Sequence, residues 1–95
     1  MLKRLLHKVF PPSATEVETR IARVLLDAEK PLTEAGVCRA ADLNRYPDLA
    51  LSLSLLYAWT RQGLLEREPA KYTATNYFHL TQRGRARAID LAKKD

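Results

Sequence analysis

Leu56-Tyr57-Ala58-Trp59-Thr60-Arg61-Gln62-Gly63-Leu64-Leu65 is the stretch on which the reading of this chain turns. It continues a helical pattern that starts near Pro47, and Gly63 stops it. Glycine takes positive φ without steric cost, which makes it the common residue just past a helix end. Leu64-Leu65-Glu66-Arg67 then reads as a strand. The polar run Pro69-Ala70-Lys71-Tyr72-Thr73-Ala74-Thr75-Asn76 reads as a loop, and Tyr77-Phe78-His79-Leu80 as a second strand. Thr81 is placed to cap a last helix from Gln82 to about Lys93, with Ala86, Ile89, Leu91 and Ala92 at its apolar positions.

Upstream, Pro47 suits the first position of a third helix over about 47–62, and Asn44-Arg45-Tyr46-Pro47-Asp48 is the turn before it. The second helix runs from Glu34 to Leu43, capped by Thr33, with Val37, Ala40, Ala41 and Leu43 as packing residues. Pro31-Leu32-Thr33 is a short extended link. The first core helix opens with Ser13 three residues before Glu16, the spacing of a capping box. Val17, Ile21, Val24, Leu25 and Ala28 give it one apolar face, and Lys30-Pro31 closes it. The architecture is therefore mainly α with a small β-hairpin, in the order α-α-α-β-β-α.

At 95 residues the chain has room for one domain, which this pattern assigns to 13–95. Residues 1–12 form a basic amphipathic N-terminal segment: Leu2, Leu5, Leu6 and Val9 share a stripe, Lys3, Arg4 and Lys8 lie off it, and Pro11-Pro12 ends it. Its plainest reading is a terminal helix that docks on the domain or on a dimer mate. A basic arm on nucleic acid and a membrane-surface helix are the alternatives. The interspersed charges leave no continuous apolar run, which argues against a signal peptide. No apolar run has the length to span a bilayer.

Three runs together resemble a winged helix-turn-helix DNA-binding domain. Pro31-Leu32-Thr33 leads into a helix of small residues, and Leu56 to Leu65 is similar to the end of a recognition helix followed by a wing. Tyr77-Phe78-His79-Leu80-Thr81-Gln82-Arg83-Gly84-Arg85 resembles the run that leaves the wing in transcriptional regulators of the PadR and MarR type. The resemblance covers roughly residues 15–92. It implies a cytoplasmic, dimeric regulator whose third helix enters the major groove of double-stranded DNA while the wing (about 64–80) follows the backbone. The chain departs from PadR proteins by ending where their C-terminal dimerisation helices begin, so a homodimer would form through the first or last helix.

A helical wheel puts Leu49, Ser52, Leu56 and Trp59 of the third helix toward the core, flanked by Leu53 and Leu55. Ala50, Leu51, Ser54, Tyr57, Ala58 and Arg61 fall on the opposite, recognition face. Sequence-specific readers carry Arg, Lys, Asn or Gln near the start of this helix, and none stands between Pro47 and Thr60. The candidate DNA-binding residues are therefore Arg45, Ser54, Tyr57, Arg61, Arg67, Lys71, Tyr72, Thr73, Thr75, Asn76, Arg83 and Arg85, most of them phosphate-contact types. The small apolar face equally suits another protein, so a winged-helix protein–protein interaction module is the alternative function. RNA binding is a further one.

Charge agrees with an anionic partner. The net charge is +5, with +3 in residues 1–12, −2 in 13–60 and +4 in 61–95. The residue pattern does not read as an enzyme. Gly36, Gly63 and Gly84 are too far apart for a phosphate loop, and His7 and His79 have no nucleophile partner. Glu66 and Glu68 share one side of a strand and read as solvated charge. The single Cys38 excludes an internal disulfide, suits a reducing cytoplasm, and gives no zinc site with two distant histidines; no cofactor is implied.

Overall fold

Ser13 opens the first helix, α1 (Ala14–Asp27), by accepting a hydrogen bond from the Glu16 amide at 3.2 Å. Such a cap satisfies one of the four amides a helix start leaves unpaired. Val17, Ile21, Ala22 and Leu25 form the buried stripe of α1. The computed structural model describes residues 13–43, 45 and 47–93. The amphipathic segment 1–12, with its Leu2, Leu5, Leu6 and Val9 stripe, lies outside the described residues, as do Asn44 and Tyr46 of the turn.

Leu32–Thr33, expected as a plain link, is a short strand, β1. Thr33 then caps the second helix, α2 (Glu34–Ala40), accepting from the Gly36 amide at 3.0 Å. Helix α2 stops at Ala40, short of the expected Leu43. Asp42 takes the left-handed conformation (φ 59°), the Leu43 amide bonds the Cys38 carbonyl at 2.7 Å, and the Asp42 amide bonds Arg39 at 3.1 Å. This is a Schellman stop with aspartate where glycine is usual. It turns Leu43 back so that the side chain is buried. Pro47 precedes the third helix, α3 (Asp48–Arg61), where the first helical position was expected.

Ser52, Leu56 and Trp59 are the buried residues of α3, all three on the side the wheel assigns to the core. Ser52 is polar and wholly buried, and its hydroxyl donates to the Asp48 carbonyl at 2.8 Å. Trp59 donates its indole N–H to Glu18 on α1 at 2.8 Å, joining the two helices. Two expectations change. Leu51 and Tyr57 of the supposed outer face also pack against the core, because α3 has neighbours on more than one side.

Two further strands, β2 (Leu65–Pro69) and β3 (Asn76–Leu80), make the hairpin, and the last helix is α4 (Gln82–Lys93). The sheet is antiparallel in the order β1-β3-β2, with Phe78 of the central strand wholly buried. Leu32 faces Phe78 across β1–β3; Leu65 faces Leu80 and Arg67 faces Phe78 across β2–β3. Helix α1 packs along α4 and against α3, and α3 packs against β2. The described residues are thus mainly helical, with four helices and one three-stranded antiparallel sheet. Among them no helix is long and apolar enough to cross a membrane.

The junction of α3, β2 and α4 holds the hairpin in place. Gly63, at φ 77°, ends α3 in a second Schellman stop: the Leu64 amide bonds the Trp59 carbonyl at 2.9 Å and the Gly63 amide bonds Thr60 at 3.1 Å. Thr81 then does three things. Its amide donates to the Leu64 carbonyl at 3.0 Å, its hydroxyl donates to the Gly63 carbonyl at 2.8 Å, and the same oxygen accepts from the Gly84 amide at 3.0 Å. Gly84 is buried against Leu64, where a Cβ would overlap the Leu64 carbonyl. The Leu80-Thr81-x-x-Gly84 run is thereby given a physical purpose: it fastens the start of α4 onto the end of α3.

Candidate nucleic-acid interface

Alternation along the strands gives the hairpin two faces of different charge. Side chains on a strand point alternately to either side, and paired residues share a side. Arg67 shares the side of Phe78 and Leu65; Glu66 and Glu68 share the other side with His79 and Tyr77. Arg67 lies on the α3 side, close enough for its charge to act on the Tyr57 hydroxyl. On the reverse side Glu66 meets His79, Oε2 to Nε2, at 3.2 Å. The hairpin therefore shows a cation toward α3 and carboxylates away from it.

Tyr57 sits where α2, α3 and the sheet meet. Its hydroxyl donates to Glu34 Oε1 at 2.6 Å, and its ring stands edge-on to Phe78, with centroids 6.1 Å apart. The hydrogen bond to the Glu34 carboxylate, with burial and the carboxylate's charge, pushes the Tyr57 phenol up, and Arg67 opposes this. Tyr57 was expected as an outward hydrogen-bonding residue, but its hydroxyl is committed to Glu34. Nothing in the sequence signals this partner, which stands 23 positions away.

Of the residues of α3 only Ser54 and Arg61 are exposed; Ala50, Leu53 and Ala58 are half-buried. Arg45 is exposed just before the helix, and its carbonyl accepts from the Leu49 amide at 2.9 Å. The hairpin tip is closed by the Ala70 amide on the Thr75 carbonyl at 3.0 Å. Lys71, Tyr72 and Thr73 are exposed there, while Thr75 and Asn76 are half-buried. Arg83 lies over Gly63, at the C-terminal end of α3 near Arg61. Arg85 is elsewhere: it lines an open groove of about 310 Å³ between the end of α1 and β3, with Leu25, Ala28, Glu29, Lys30, His79 and Leu80. The twelve residues taken from the sequence thus do not form one surface: Arg61 and Arg83 mark the end of α3, Arg85 lies in the groove beside α1, and Lys71 lines a second groove with Lys30, Glu68 and Tyr77.

Arg61, Arg67, Lys71, Arg83 and Arg85 hold no ion pair among the described residues. Guanidinium and ammonium groups are the side chains that pair with phosphate, and here no carboxylate among the described residues neutralises them. Cys38 lies buried beside Ser52, and burial pushes its thiol up, only partly offset by the Ser52 hydrogen bond. A thiol so held is a poor nucleophile at neutral pH. In comparisons with known proteins, the chain matches no family model, no curated protein and no solved structure.

Proposed function

We propose that this chain is a winged-helix domain of a transcriptional regulator, not an enzyme, and that it binds duplex DNA through α3 and the β2–β3 wing. The observation that carries the reading is the hairpin's division of charge, with Arg67 turned toward α3 and Glu66 and Glu68 turned away. A surface that meets phosphate gains from that arrangement, since the acids would otherwise repel the same backbone. The element order and the strand order β1-β3-β2 suit a helix-turn-helix made of α2 and α3 with an attached wing. A homodimer in a reducing cytoplasm, spaced on two half-sites, is part of the proposal.

The test is duplex binding by fluorescence anisotropy as salt is raised. Phosphate contacts release counterions, so affinity should fall steeply with salt. Changing Arg67 and Lys71 together to Ala should weaken binding about tenfold at low salt, alike for every sequence, and flatten the salt dependence. A full chain that binds no duplex at low salt would remove the reading.

A further inference from the structure

Tyr72 stands almost wholly in water, 93% exposed, at the tip of the hairpin. Trp59 and Phe78 are buried, and Tyr57 rests against Phe78. The residues around Tyr72 in the loop are Ala70, Thr73 and Ala74, too small to cover the ring, and Lys71 precedes it. An uncovered ring beside an ammonium group suits a base and the phosphate attached to it. Within a duplex each base is already stacked on its neighbours, so the ring finds no partner along it and meets only the outer face of the last pair at a blunt end. An unpaired base offers a free face.

The rest of the interface directs the same way. Ser54 and Arg61 are the exposed residues of α3, and the Tyr57 hydroxyl is held by Glu34. Base-edge reading by α3 is therefore slight, and discrimination falls to the shape of the nucleic acid at the tip. Stacking accepts any base, because every base has a π face.

We propose that the hairpin tip is a stacking site for an unpaired nucleobase, with Tyr72 as the ring and Lys71 on the adjacent phosphate. The domain then prefers duplex DNA with a single-stranded tail over blunt duplex, whatever the tail's sequence. This rests on the DNA-binding reading above and specifies the form of DNA.

The test uses the full chain with a blunt duplex and with the same duplex carrying a short tail, 2-aminopurine being the first unpaired base. The tail should tighten binding about tenfold and the 2-aminopurine fluorescence should be quenched. Tyr72→Ala should lose both effects, so that it binds the tailed and the blunt duplex alike, and should leave Tm unchanged; Tyr72→Phe should keep both effects. Equal affinity for the two duplexes, or a Tyr72→Ala variant that weakens both equally, overturns the stacking site while the DNA reading stands. Binding to neither duplex at low salt overturns both.

Discussion

At its base the β2–β3 hairpin is tied to two helices at once; at its tip it is tied only to itself. The base spends its polar groups inward. Thr81 uses its amide and both roles of its hydroxyl on Leu64, Gly63 and Gly84, and the backbone of α4 lies directly against Leu64. The tip has one closing bond, Ala70 to Thr75, and turns Lys71, Tyr72 and Thr73 into water. Rigid placement and free side chains are thus separated along one hairpin about five residues long in each strand. The base aims the tip, and the tip carries groups that folding does not consume.

The largest expected effect comes from breaking the base. Gly84→Ala puts a methyl group into the Leu64 carbonyl, so the start of α4 must move away from the end of α3. We expect a loss of about 3 kcal/mol, a large part of the stability of a domain this size. In a thermal melt that is a fall in Tm of roughly 12–24 °C. A variant that melts like the wild type would mean that the base does not hold the hairpin.

A smaller effect is expected midway along the hairpin, where Tyr57 joins α3 to α2 beside Arg67. Tyr57→Phe removes the hydrogen bond to Glu34 and should cost about 0.5–1 kcal/mol, read from the denaturant midpoint. The pH dependence has a definite sign. The folded-state pKa of Tyr57 is raised, so its stabilisation is complete below the unfolded value near pH 10 and is lost as pH rises through the folded value. Tyr57→Phe should therefore show a shallower alkaline loss of stability than the wild type.

Sequence patterns reached the parts of the fold that depend on neighbours in the chain. Ser13 and Thr33 cap where their spacing to Glu16 and Gly36 allows, and Gly63 stops α3 through its own φ. The core side of α3 was legible even for Ser52, whose position on the wheel outweighs its polarity. Distant contacts were not legible. Strand β1 has two residues, too few for a period, and exists because Phe78 and Tyr77 pair with it. Asp42 occupies a left-handed position that only a glycine would have advertised. Leu51 and Tyr57 pack inward because α3 is enclosed on two sides, which a wheel with one core direction does not represent. Grouping cations by their place in the chain put Arg85 with Arg83, although the turn of α4 sends them to different surfaces.

Arg67 and Glu68 are adjacent in β2 and point to opposite sides of the hairpin, which makes them the most direct test of which side meets DNA. The measurement is the affinity of the full chain for blunt duplex at low salt after Arg67→Glu and, separately, after Glu68→Lys. Each changes the net charge by two units, in opposite directions. If DNA lies on the α3 side, Arg67→Glu should weaken binding by roughly tenfold or more, while Glu68→Lys should change it by less than about threefold. Equal and opposite changes from the two variants, or a larger effect from Glu68→Lys, would contradict the proposed interface.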